Sequence, residues 1–179
     1  MARKTKTTYV GQGKAIRRKL IDMNARFPNA CVTIGVHSGA GDYEGTNVSV
    51  SRVALWNEFG TPNARYPTPE RSFLRSTLKD NRDKIAAWRE EAIRNILEKD
   101  WTAEKALSMV GLRIQFLVQN RIRSNIPPPN APGTLNGMFG KPGKIELGQG
   151  TNTLIATGKL LRSISFQVHL DGFDEAGST

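Results

Sequence analysis

The sequence predicts an α+β fold, in which a small sheet packs against an N-terminal helix and a long helical hairpin. Two observations support this prediction. Apolar residues recur at helical spacing in several long stretches, and they alternate with polar residues in two short ones. A chain of 179 residues, of which 38% are hydrophobic, can bury the core of a single domain without disulfides or metals.

The first helical pattern covers residues 13–27, where proline and asparagine then end it. One face of this helix carries the apolar residues Ile16, Leu20, Met23 and Phe27. The pattern over residues 48–59 fits either a strand or a short helix. We favour a helix, with the hydroxyl of Ser49 or Ser51 as its N-cap.

Two longer helical stretches follow a connection over residues 60–69, which its three prolines hold extended. The first helical stretch is predicted from about Glu70 to Lys99. The second is predicted from Ala103 to about Ser124, with Thr102 as its N-cap. Because so few residues join them, the two should form an antiparallel hairpin.

Two short segments alternate as strands do, and each is predicted to bury one face. The first is residues 31–37, in which Val32, Ile34 and Val36 lie on the apolar face. The second is residues 165–170, with Phe166, Val168 and Leu170 on the apolar face. Together they form the predicted small sheet.

Composition divides the chain into a basic, flexible arm over residues 1–12, a single domain over 13–170, and a disordered acidic tail over 171–179. Within the domain, residues 125–150 form a long loop in which 11 of the 26 residues are glycine or proline. Loops of this length are uncommon inside compact domains, so we expect it to be a binding element or to become ordered in an assembly.

The net charge of +10 is uneven along the chain. Residues 1–26 carry +7, residues 27–170 carry +6 and the last nine residues carry −3. A basic N-terminal region indicates contact with nucleic acid or with an acidic protein surface, although a solvated tail fits equally well.

The sequence contains no pattern that predicts catalysis, a metal site, a cofactor or a membrane span. Its single cysteine, Cys31, reads as a small packed residue, and two histidines are too few for a zinc cluster. His37 and His169 fall at outward strand positions and are predicted to be surface or interface residues. The glycines at residues 11–13 lack the spacing of a phosphate-binding loop.

Two stretches of the chain carry motifs that occur together in one family. The first contains Glu58-Phe59-Gly60, a proline-rich turn, Arg71 and Phe73-Leu74-Arg75, followed by a long helical region. The second follows three prolines and a Gly/Pro-rich stretch, and its matching residues are Leu154, Ile155, Thr157, Gly158, Leu160, Ser163 and Ile164. In order and spacing the pair resembles tailed-bacteriophage head–tail joining or tail-completion proteins. Ser72 stands where that family often has proline.

The resemblance implies a structural protein of the virion neck or tail end, assembled in the cytoplasm of the bacterial host, and not an enzyme. Such proteins form homomeric rings around the DNA channel, with sixfold symmetry favoured here over twelvefold. The implied partners are the chain itself, neighbouring neck, portal-adaptor, tail-tube or terminator proteins, and nonspecifically the DNA in the channel.

Physical roles can be predicted for the motif residues themselves. Glu58 could cap a helix or pair with an arginine such as Arg71, or it could be an ordinary surface acid. Gly60 should adopt a backbone angle that a Cβ would forbid. Phe59, Phe73 and Leu74 are predicted core anchors. Gly158 should let the chain turn, and Thr157 should cap the turn that contains Leu160.

Contacts between subunits are predicted for the basic arm and the Gly/Pro-rich loop. The residues concerned are Arg3, Lys4, Lys6, Pro127, Pro128, Pro129, Met138 and Phe139. A rival hypothesis also fits the charge: a basic DNA-binding or packaging-associated protein that acts without a ring.

Overall fold

The computed structural model describes residues 6–65, 67–130, 152–155 and 157–171, and for residues 6–12, Asn24 and Arg26 it describes the backbone alone. The elements, in chain order, are α1 Lys6–Arg26, β1 Cys31–Val36, a 3₁₀ turn Ser38–Ala40, α2 Val50–Phe59, α3 Arg75–Asp80, α4 Arg82–Lys99, α5 Ala103–Arg123, α6 Lys159–Ser163 and β2 Ile164–His169. No helix in the described part of the chain is long and apolar enough to cross a membrane.

The two strands pair antiparallel, from Cys31 opposite His169 to Val36 opposite Ile164. This confirms the α+β class and both predicted strands, although β2 begins one residue earlier than expected. Because side chains alternate along a strand, the apolar residues of both strands share the face that packs on α5.

Helix α5 lies at the centre of the fold, where it contacts both strands and α4. Gly111 is the point of closest approach, since a Cβ there would lie 2.5 Å from the Phe166 ring. Because Gly111 has no side chain, α5 packs directly against β2 at this point. The buried core is made by Val110, Ile114, Val118 and Ile122 of α5, together with Val50, Phe73, Ile126, Leu154, Leu160 and Ile164.

The predicted hairpin is formed by α4 and α5, which pack against each other. Asp100, between them, adopts a left-handed conformation with φ 53°. The hydroxyl of Thr102 accepts a hydrogen bond from the backbone N–H of Lys105 at 3.2 Å, so Thr102 is the N-cap as predicted. Ser49 caps α2 in the same way through Arg52, which confirms the helix over residues 50–59.

Two predicted helix boundaries are wrong. Helix α1 begins at Lys6 rather than at Gly13, so the prediction of a flexible arm is wrong for residues 6–12. Gly11 and Gly13 each cost a helix only about 1 kcal/mol and do not stop it. The single helix predicted from Glu70 to Lys99 is two helices, α3 and α4, which are divided at Asn81. Residues 70–74 lie outside α3, and Glu58 accepts hydrogen bonds from the backbone N–H groups of Phe73, Leu74 and Arg75 where that helix begins.

Candidate functional site

The carboxylate of Glu58, at the end of α2, organises the first motif. Glu58 is only 5% exposed. Its Oε2 accepts hydrogen bonds from the backbone N–H groups of Phe73 and Leu74, both at 2.9 Å. Its Oε1 accepts one from the backbone N–H of Arg75 at 2.9 Å. Glu58 therefore caps the start of α3 across fifteen residues of sequence, which confirms the capping role that was left open.

The side chains around Glu58 complete its environment. The hydroxyl of Ser72 donates to Oε1 at 2.7 Å, and the Arg75 guanidinium donates to it at 3.0 Å. The ion-pair partner is thus Arg75, and the suggested pairing with Arg71 is wrong. Burial alone raises the pKa of the Glu58 carboxyl, but the hydrogen bonds, first among them the one from the Leu74 N–H, outweigh burial and leave this pKa below its ordinary value.

Gly60 turns the chain directly after this acid, with φ 72° and ψ 174°. A Cβ at this position would lie 3.0 Å from both the backbone N of Glu70 and the carbonyl O of Thr68. The predicted need for glycine is confirmed, since this conformation is open only to glycine and the opposing backbone leaves no space.

Arg71 connects the turn to the beginning of the Gly/Pro-rich segment. Its backbone N–H donates to the carbonyl of Asn57 at 2.7 Å. Its side chain, in a residue only 5% exposed, donates to the carbonyls of Pro128 at 2.9 Å and Pro129 at 3.2 Å. Burial lowers the pKa of this guanidinium. Arg71 therefore connects the first motif to the prolines that precede the second motif, more than fifty residues away in the sequence.

Hydrogen bonds also join the two ends of the Gly/Pro-rich segment, residues 123–126 and 152–153, which we call its root. The backbone N–H of Thr153 donates to Oδ1 of Asn125 at 2.9 Å, and the Thr153 hydroxyl donates to the carbonyl of Ile126 at 2.8 Å. The Asn152 amide donates to the carbonyl of Arg123 at 3.1 Å. The chain therefore leaves the C-terminal end of α5 and returns to it at the same place.

The second motif builds the short helix α6 and the start of β2. Gly158 has φ 71°, so it turns the chain as predicted. The hydroxyl of Thr157 accepts from the backbone N–H of Lys159 at 3.3 Å, and Leu160 and Ile164 are buried. Because α6 packs against α2, the second motif contacts the helix that ends in the first motif.

Phe59 lies on the surface, and its prediction as a core anchor is wrong. It is 52% exposed, whereas Phe73 is 2% exposed, as expected for an anchor, and Leu74 is partly buried. The Arg75 guanidinium stacks over the Phe59 ring at 4.2 Å. Two neighbouring residues of α2 are also exposed, Leu55 by 57% and Trp56 by 38%.

Two hollows adjoin Phe59 on this surface. One, of about 180 Å³, lies towards Val36, Ala54 and Leu74. The other, of about 380 Å³, is lined by residues that include Gly60, Pro62, Pro67, Pro69 and Glu70. We refer to Leu55, Trp56, Phe59 and these two hollows as the Phe59 surface. An exposed apolar patch with hollows, held on a rigid turn, is suited to contact with another protein.

Some of the residues predicted to make contacts between subunits lie within the described part of the chain. Pro127, Pro128 and Pro129 are exposed, as such contacts require. Lys6 begins α1, where only the backbone is described. Arg3, Lys4, Met138 and Phe139 lie outside the described residues.

The two histidines meet on the polar face of the sheet. Oγ1 of Thr33 lies 3.1 Å from Nε2 of His37 and 3.1 Å from Nε2 of His169, and Nδ1 of His37 lies 2.9 Å from the Ser165 hydroxyl. Burial, followed by the charge of His169, lowers the pKa of His37. These contacts tie β1 to β2. Within the described ranges, no group of three or more His, Cys, Asp or Glu side chains is placed to hold a metal ion.

Comparisons with models of protein families, with curated proteins and with solved structures find no match to this chain. They neither support nor contradict the resemblance to phage neck proteins, which stays a prediction from the motifs.

Sequence reasoning found the motif residues but missed the residues that connect them. Ser72 and Arg75 were not assigned to Glu58, and Asn125, Asn152 and Thr153 were not assigned to the loop root. Ser72 carried one signal, since it departs from the proline of the resembled family. Its hydroxyl makes a hydrogen bond to Glu58 that proline could not make.

Proposed function

We propose that this protein is a structural component of the neck or tail end of a tailed bacteriophage, where copies of the chain assemble into a closed ring around the DNA channel. The ring is assembled in the host cytoplasm, completes or caps the tail, and joins it to the head. Its neighbours are the portal-adaptor and tail-tube or terminator proteins. Sixfold symmetry is favoured over twelvefold.

The observation that carries this proposal is the Phe59 surface together with the rooted segment beside it. A ring that closes by rotation needs two different surfaces on each subunit, one for each neighbour. Arg71 holds both features, since its backbone contacts the residue two before Phe59 and its side chain contacts Pro128 and Pro129. The Phe59 surface would serve as one half of the contact, and the Gly/Pro-rich segment as the other.

The test compares two phenylalanines that are both more than half exposed. Purified wild-type protein should form rings, visible by light scattering and negative-stain imaging. Phe59→Ser should reduce them to monomers. The control is Phe116→Ser, which changes a residue of α5 that is 60% exposed and should leave the rings intact. A wild-type protein that stays monomeric at high concentration, or equal effects of the two changes, would contradict the proposal.

The segment itself can be removed without disturbing its root. Deletion of residues 131–150, with a short Gly/Ser bridge, keeps Arg71, Pro128 and Pro129 in place. The protein should remain folded and lose its rings. Rings of normal size after this deletion would exclude the segment from the contact between subunits.

A second candidate function is DNA binding without a ring, and one observation favours it. Lys14, Arg17 and Arg18 are all exposed on α1. If these residues bind DNA phosphates, the affinity of the monomer should fall steeply with salt, and Arg17→Gln with Arg18→Gln should flatten that dependence. Weak binding that is insensitive to both changes would exclude this candidate.

A further inference from the structure

An apolar cavity of about 430 Å³ lies where α1, β1, α4 and α5 meet. Residues from all four elements line it, including Met23, Phe27, Cys31, Ile93, Ala106 and Leu107. Among the described residues around it, Arg89 of α4 is the only charged one. An apolar cavity on the order of 150 Å³ already holds a benzene molecule, so this one has room for an aromatic side chain.

The course of β2 brings the chain to this cavity. Gln119 of α5 donates to the carbonyl of Ile164 at 3.4 Å, and Gly111 lies against Phe166. The strand therefore runs towards the N-terminal half of α5, which contributes Ala103, Ala106 and Leu107 to the cavity. At its end, His169 is paired with Cys31, which lines the cavity as well.

The residues that follow β2 have the composition that this cavity would accept. Phe173 is two positions beyond the last described residue, Asp171, and acidic residues flank it on both sides. Residues 171–179 carry a net charge of −3. Phe173 follows His169, the last residue of β2, by four positions, over which a fully extended chain spans at most about 14 Å. That length limits how far from the end of the strand its ring can bind.

We propose that Phe173 of the same chain inserts its ring into this cavity, and that the carboxylates of Asp174 and Glu175 pair with Arg89 at its edge. The ring removes apolar surface of both partners from water, and the acidic residues match the charge of Arg89. The segment after β2 thereby fastens α1 and the helical hairpin to the sheet. This inference does not depend on the proposed phage function.

Cys31 is the only cysteine in the chain and is one of the residues that line the cavity, so we use the reactivity of its thiol as the probe of occupancy. In the full-length protein, the reaction of Cys31 with an aromatic disulfide reagent should be slow. Phe173→Ser should accelerate it by roughly tenfold or more, because burial of the ring is the main contribution to docking. Phe173→Leu, which keeps an apolar side chain, should stay near the wild-type rate. Ser178→Ala is the matched control and should change nothing.

The charge pairing is tested separately. Arg89→Gln and the double change Asp174→Asn with Glu175→Gln should each accelerate the reaction by a few-fold, and combining them should add little. Equal rates for wild type and Phe173→Ser would overturn the proposal. Protection that rises with protein concentration would also overturn it, since the occupant would then be the segment of a second copy. Circular dichroism of each variant distinguishes an opened cavity from an unfolded chain.

Discussion

The turn around Glu58 and the contact between α1 and α4, which we call the seam, are stabilised by different kinds of interaction. At the turn, Glu58 and Arg71 are each 5% exposed, and both bind backbone atoms of distant segments. At the seam, Lys19 pairs at the surface with Asp100 and with the carbonyl of Leu97, and the apolar cavity lies alongside. A turn fixed by buried, directional bonds tolerates little change. A contact that depends on burial of apolar area can be stabilised by any apolar side chain that fits the cavity. We therefore expect the segment after β2 to bind there rather than at the turn.

The largest effect is expected from Glu58→Ala, which should break the turn. Three backbone N–H groups, the Ser72 hydroxyl and the Arg75 guanidinium lose their acceptor. Each buried donor left without a partner costs about 1–3 kcal/mol, so the total loss should be about 3 kcal/mol or more. Urea denaturation measures this as a lower free energy of unfolding. Glu70→Ala is the matched control, because Glu70 pairs with the same arginine but its side chain is 58% exposed. It should cost less than about 1 kcal/mol. Similar losses from both changes would mean that Glu58 has no capping role.

Two glycine substitutions, one in the turn and one on α1, should change stability in opposite directions. Gly60→Ala should destabilise the protein by about 1–3 kcal/mol, since it forces alanine into a glycine-only conformation against opposing backbone. Gly13→Ala on α1 has no heavy atom within 4 Å of the added Cβ, and it should stabilise that helix by about 0.5–1 kcal/mol. Unfolding curves give the first effect and helical circular dichroism the second. Opposite signs are required; a neutral Gly60→Ala would contradict the strain at the turn.

The sequence predicted the elements that depend on local signals, and it did not predict the contacts between distant residues. Apolar periodicity identified α1, α5 and both strands, and the local caps Ser49 and Thr102 were correct, because each signal lies within one or two turns of chain. The pairing of Glu58 with residues 72–75 joins distant positions and leaves no period in the sequence, so the start of α3 at Arg75 rather than Glu70 was missed. The role of Gly111 was not predicted, because only the packed structure shows that it lies against Phe166.

Arg71→Lys should release the root of the Gly/Pro-rich segment with a smaller effect on the whole fold. Lysine cannot reach two carbonyls with a planar group, so about 1–2 kcal/mol of stability should be lost with these hydrogen bonds. Limited proteolysis should cleave within residues 131–150 several times faster. Arg123→Lys is the control, since Arg123 is exposed and its guanidinium bonds only Asn120, one turn earlier on α5. An unchanged cleavage rate in Arg71→Lys would show that the root is held by Asn125, Asn152 and Thr153 alone.

The smallest change in stability is expected at the polar face of the sheet, where the hydrogen bonds of His37 are partly buried. Burial, and then the charge of His169, hold the pKa of His37 below 6.5, its ordinary value. The unfolded chain therefore binds a proton more readily than the folded one, and stability falls as the pH drops through 6.5 towards the folded pKa. Below that pKa this group causes no further loss. Urea midpoints measured between pH 7.5 and 5 should decline in wild type and flatten in His37→Gln. His169→Gln should retain part of the slope, because burial is the larger cause and remains. A slope unchanged by His37→Gln would place the titrating group elsewhere, and the contacts of His37 with Thr33 and Ser165 would then be insensitive to protonation.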